Sequence, residues 1–190
     1  MGKALRGLGF KEGAALQAQF VAQPSRYVQP LVVVADDYHR GKAEHVEGES
    51  VQDSFYRAER ADRTGLAKQT WMQFNRYAII KHMARAYADL VGLGTTHGDP
   101  HIGNLIMNGE RDAPLSFIDY GPNAVSPLEE DYVDMLGDGL RYDFRKMKLD
   151  IRAFFARDDK SDLENLSSYF DREFEKAISR MAARDEAKKA

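Results

Sequence analysis

Two short polar segments of this sequence combine residue types that can do chemistry. The first reads His97-Gly98-Asp99-Pro100-His101-Ile102-Gly103-Asn104, and the second, Asp119-Tyr120-Gly121, begins fifteen residues after Asn104. A carboxylate, an amide five residues on and a second carboxylate beyond a hairpin can converge on one point. Phosphoryl transfer needs such a set: one carboxylate orients or deprotonates the attacking hydroxyl, while an amide oxygen and the other carboxylate hold magnesium against nucleotide phosphates. Each residue also has a plainer use. Asp99 before Pro100 can start a turn, Asn104 can cap a loop, and Asp119 can end a strand beside Gly121. None of these plainer uses calls for the joint spacing and order, and a shared site does.

The elements that must position these residues are legible around them. Over residues 71–91, Met72, Ile79, Ile80, Met83, Tyr87, Leu90 and Val91 recur at three- and four-residue intervals, which predicts a long half-buried helix. Thr70 can cap its start and Gly92 or Gly94 its end, so the helix delivers the chain directly to His97. After the polar loop 97–104, residues 105–107 and 115–118 read as two short strands around a turn at Asn108-Gly109, with Asp119 at the end of the second. Three helices are expected beyond Pro122 and Pro127, over 128–142, about 144–156, and 162–183. Ser161 with Glu164 has capping-box spacing before the last of these, and residues 184–190 read as a frayed charged tail.

Towards the N-terminus the pattern is weaker. Residues 12–20 read as a short helix ending at the turn Gln23-Pro24-Ser25. Residues 27–34 and 43–51 read as two strands of a hairpin, with Pro30 deferring pairing to Leu31 or to a sheet edge. Residues 54–68 are charged and read as a helix or linker with a solvated face and no chemistry.

Composition narrows the function classes. The 190 residues, 43% hydrophobic and 30% charged, suit one compact domain or two small lobes sharing a cleft. With 27 Lys+Arg against 30 Asp+Glu the formal charge is −3, which disfavours a broad nucleic-acid footprint, so no nucleic-acid partner is expected. The absence of cysteine excludes disulfides, thiolate metal sites and cysteine catalysis. No signal-peptide pattern and no membrane span are visible, which leads to the expectation of a soluble, cytoplasmic protein, export without a cleaved signal aside.

The two polar segments resemble the protein-kinase-like superfamily, in which a catalytic loop H-x-D-x-x-x-x-N is followed by a metal-binding D-x-G turn. The wording HGDPHIGN is most similar to aminoglycoside and choline phosphotransferases, ubiquinone-biosynthesis-type atypical kinases and small bacterial kinases, with FIDYG in place of DFG. The resemblance implies that Asp99 is the catalytic base, that His97 braces the loop, and that Asn104 and Asp119 ligate magnesium. It covers residues 71–121 in the family's order of helix, loop, hairpin and turn. It further implies an α+β kinase-like fold with ATP and Mg²⁺ as cofactors and a protein or small molecule as acceptor. Residues 1–51 would form a reduced N-lobe and hinge, and 52–190 a mostly helical C-lobe.

The first 43 residues depart from that family. They are too few for the family's glycine loop, lysine-bearing strand and helix, and Gly7, Gly9 and Gly13 do not have glycine-loop spacing. Lys3 and Glu12 are the candidates for the phosphate-binding lysine and its glutamate partner. Glu44, His45, Val46 and Glu47 are the candidates for the adenine-contacting hinge. A site built this way predicts ATP binding weaker than micromolar, with little phosphoryl transfer unless a partner chain or a second copy completes the cleft. Two alternatives use the same residues: a pseudokinase-like binding or scaffold protein, and a C-terminal fragment of a longer kinase.

Other motifs fail on their missing parts. Gly98-Asp99-Pro100-His101 overlaps the GDxH element of metallophosphoesterases, but the downstream histidines that their two-metal chemistry needs are missing, since none follows His101. No GxxxxGK[ST] loop occurs. His97 and His101 have zinc-helix spacing, but Pro100 between them opposes a helix.

Overall fold

The computed structural model describes residues 31–34, 41–43, 47–92, 94–108, 115–118, 132–156 and 160–189. The described part is of α+β type, mostly helical with small antiparallel sheets. Strand β1 (Leu31–Val34) pairs antiparallel with β2 (Gly41–Ala43), with Leu31 opposite Ala43 and Val34 opposite Gly41. The expected strand over 43–51 is divided. Glu49–Ser50 forms β3 in a second sheet, where it pairs with β4 (Leu105–Met107), itself paired with β5 (Leu115–Phe117).

Gly48 and Ser50 are the physical reasons for that division. Gly48 has φ +141°, and a Cβ there would lie 2.1 Å from the Met107 carbonyl oxygen. Only glycine lets the backbone pass so close to β4. Ser50 then caps helix α1 (Val51–Ala61): its Oγ accepts from the Asp53 N–H at 3.0 Å and donates to the Asp53 carboxylate at 2.7 Å. Gly48→Ala is expected to cost about 2 kcal/mol or more, from backbone strain plus displacement of β3. Urea denaturation reads this directly, and an unchanged midpoint would contradict the close approach.

Segment 54–68 holds most of helix α1, a turn and the start of helix α2 (Leu66–Gly92); the expected solvated face is there, with Tyr56, Arg57, Glu59 and Arg60 exposed, and the opposite face is packed. Ser54 and Phe55 are buried, and Trp71 Nε1 donates to Ser54 Oγ at 3.0 Å, which joins α1 to α2. The start of α2 is capped before Thr70. Asp62 Oδ2 accepts from the Ala67 N–H at 2.8 Å, and Thr64 Oγ1 accepts from the Leu66 N–H. At the other end Gly94, with φ +75°, donates to the Val91 carbonyl and turns the chain out of the helix.

Helix α2 runs through the core. Ile79, Ile80, Met83, Tyr87 and Leu90 are buried as their spacing predicts, while Met72 and Val91 are half-buried. Each large buried side chain contributes roughly 1.5–3 kcal/mol of apolar transfer. The helices expected over 128–142 and 144–156 are one continuous run: α3 (Tyr132–Asp150) continues into a wider π-helical turn, Ile151–Phe155, closed by the Ala156 N–H on the Ile151 carbonyl at 2.9 Å. Leu140, Phe144, Met147 and Ile151 keep one apolar stripe through the expected break, so nothing local interrupts the helix. The last helix, α4 (Lys160–Lys189), packs along α2. Ser161 falls inside its first turn rather than before it, and the tail expected to fray is helical to Lys189. An ion pair between Arg76 and Asp162, 2.9 Å and largely shielded, pins the start of α4 to α2. Among the described residues no helix is long and apolar enough to cross a membrane.

Candidate active site

The loop 97–104 leaves α2, lies over α3, and enters β4 through a 3₁₀ turn, Ile102–Asn104. Its backbone is held from beneath by one face of α3. Asp143, fully buried, accepts from the His97 N–H at 2.7 Å and the Gly98 N–H at 3.1 Å, and from the Tyr87 hydroxyl at 3.0 Å. Two helical turns later Asp150 accepts from the Ile102 N–H at 2.7 Å. The two carboxylates therefore clamp both ends of the loop. Gly98, at φ +77°, lets the chain turn while presenting its N–H to Asp143. Gly103 is crowded by side chains instead: a Cβ there would meet Gln52 Oε1 at 2.5 Å and the His101 ring at 2.8 Å, so both would have to shift.

Burial dominates the titration of the groups beneath the loop. It pushes the Asp143 carboxyl up to about 6, against the opposing pull of its backbone and tyrosine hydrogen bonds. The Tyr87 hydroxyl is raised by burial and by Asp143, and Asp150 is raised by burial against its bond to Ile102.

His97 is a brace. It is fully buried; its Nδ1 accepts from the Asp99 N–H at 3.3 Å and its Nε2 lies 3.0 Å from the Ile118 carbonyl. Those partners assign the proton to Nε2. Burial lowers its pKa to about 4, so the ring is neutral near pH 7, and both nitrogens are engaged within the fold. It ties the loop to the residue that precedes Asp119.

Asp99 differs from its neighbours in being partly open, with 35% of its side chain exposed. Its Oδ1 forms a short charged hydrogen bond with Lys146 Nζ of α3, and its Oδ2 lies 3.9 Å from His101 Nε2. Burial works to raise the Asp99 carboxyl, but the Lys146 hydrogen bond and charge, with the two histidines, outweigh it and hold the group below its usual value. His101 accepts the Gly103 N–H at Nδ1, which turns its Nε2 towards Asp99. Asn104 is nearly buried; its Nδ2 donates to the Asp99 carbonyl at 3.2 Å, and its own carbonyl accepts from the Ile118 N–H at 2.9 Å. A cleft of about 350 Å³ opens beside this cluster, between Gln52 of α1, His101 of the loop, and Lys146, Leu149 and Phe154 of the α3 run.

Of the residues singled out from the sequence, the structure brings together His97, Asp99 and Asn104. Glu47 is exposed ahead of Gly48 and apart from the loop's hydrogen bonds. Lys3, Glu12, Glu44, His45, Val46 and Asp119 lie outside the described residues. Asp143, Lys146 and Asp150 were missed. Their one signal is a polar spacing of three, four and seven residues beside the apolar stripe of α3, which reads as a solvated face until the loop is seen against it. Neither the models of known protein families nor the curated proteins give a match to this chain.

Proposed function

We propose that this chain is an ATP- and magnesium-dependent phosphotransferase of protein-kinase-like fold that transfers phosphate to a hydroxyl. The observation that carries the reading is Asp99, a carboxylate kept ionised by Lys146, partly exposed, and mounted on a loop clamped by buried groups. A general base for a hydroxyl needs that combination of charge, access and fixed position. Asp99 Oδ2 takes the hydroxyl proton as the acceptor oxygen bonds to the γ-phosphorus. The bond from that phosphorus to the bridging oxygen breaks, and its electron pair leaves on ADP.

Asn104 and Asp119 are the residues that would hold the magnesium. The Asn104 amide nitrogen donates to the Asp99 carbonyl, and Ile118, bonded to both Asn104 and His97, is followed in the sequence by Asp119. Among the described residues no three carboxylate, imidazole or thiolate groups gather to hold a metal by themselves. Two oxygen ligands completed by phosphates and water are the usual provision for magnesium, and the ion supplies charge neutralisation of the phosphates. The experiment is nucleotide binding by calorimetry with and without magnesium. Wild type is expected to bind ATP more tightly with the metal, and Asp119→Ala and Asn104→Ala to abolish that difference. Unchanged magnesium dependence in both variants would overturn the assignment.

A further inference from the structure

We infer that Lys146 is a catalytic residue of the phosphotransferase proposed above, its ammonium stabilising the negative charge on the phosphoryl group in transfer while it holds Asp99. The inference rests on that functional reading. Residues 98–104 of the loop contain no lysine or arginine, so the loop itself brings no permanent positive charge to its carboxylate. Lys146 brings one from α3, more than forty residues away, and among the described residues it is the one lysine or arginine paired with Asp99.

Position and donor count support the role. An ammonium has three N–H donors; Asp99 Oδ1 occupies one and the Tyr142 side chain engages a second, which leaves one for a ligand. The Tyr142 ring lies 5.7 Å from Nζ, so the head group sits between an aromatic residue and the carboxylate, and Lys146 lines the cleft with His101 and Leu149. When the acceptor oxygen bonds to the γ-phosphorus, its proton passes to Asp99 Oδ2 and the electron pair of the breaking bond leaves on ADP. At that moment the phosphoryl oxygens stand beside Asp99, where the remaining Lys146 donor can meet them. A fixed cation aimed at charge that develops during transfer stabilises that state more than the ground state.

Lys146 could instead serve only to hold Asp99 in place, and the two roles separate with a probe that needs no acceptor. Calorimetry with the full chain compares MgADP alone with MgADP plus aluminium fluoride, which mimics the phosphoryl group in flight. Wild type is expected to gain affinity from aluminium fluoride. Lys146→Met should lose about tenfold or more of that gain while binding MgADP within about twofold of wild type, and Lys146→Arg should retain part of it. Asp99→Asn, which removes the ion pair but leaves the cation, should keep the gain. A gain undiminished in Lys146→Met, no gain in wild type, or equal losses for both probes would overturn the role of Lys146. Failure of wild type to bind MgADP at all would overturn the phosphotransferase reading itself, and this inference with it.

Discussion

Asp99→Asn is expected to lower turnover by about 10²-fold or more while leaving folding and nucleotide affinity nearly unchanged. The amide matches the carboxylate in shape, so the backbone N–H bond to His97 and the carbonyl bond from Asn104 both persist. What is lost is the proton-accepting oxygen. The Lys146 ammonium would face an amide instead of an anion, but both side chains are more than a third exposed and water can solvate the cation. The structural cost is therefore small. Steady-state phosphate transfer beside a thermal melt checks both halves of the expectation. Near-normal turnover would remove Asp99 from the chemistry, and a collapsed melting transition would make it a structural residue.

The largest loss of stability is expected beneath the loop, at Asp143. Asp143→Ala strands the N–H groups of His97 and Gly98 and the Tyr87 hydroxyl without their acceptor, at positions closed to water. Unsatisfied buried donors cost about 1–3 kcal/mol each, so a loss of about 3 kcal/mol or more follows. Asp143→Asn should be milder, since one amide oxygen can still accept, although its NH₂ must oppose a donor.

The same group sets a pH dependence. Its folded pKa of about 6 stands above the unfolded value of 3.8, so the native state holds the proton more tightly. The stability it contributes is fully present below the unfolded value and is lost as pH rises through about 6. A shift of this size corresponds to a few kcal/mol on an order-of-magnitude scale. Urea midpoints measured from pH 4 to 7 should fall through this window in wild type, and Asp143→Asn should flatten that component. A slope equal in both proteins would assign the dependence to other groups.

Much of the scaffold was written locally in the sequence. The apolar period of Ile79, Ile80, Met83, Tyr87 and Leu90 marks the core face of α2, and the hairpin around Asn108 appears as β4 and β5. The period is local because each helix turn repeats within four residues. Boundaries were less legible. The expected ranges 128–142 and about 144–156 leave Asp143 between two helices, yet Asp143 is buried and the helix passes straight through it. A buried acid reads as a break only when its partners are unknown. The strand expected over 43–51 is divided between two sheets for a related reason: alternation predicts extended backbone but does not say which strand it pairs with.

The sequence by itself determined the spacing of Asp99, Asn104 and Asp119 and the helix and hairpin that carry the loop, because those are short-range quantities of chain geometry. Tertiary structure alone decided what supports and charges the loop. Asp143 meets His97 across 46 residues and Lys146 meets Asp99 across 47, so no local pattern joins them. The physical reason lies in the loop's own polarity. Its backbone N–H groups, turned away from water by the packing of α2 against α3, require buried acceptors. Only the folded arrangement selects Asp143 and Asp150, from among all the acidic residues of the chain, to provide them.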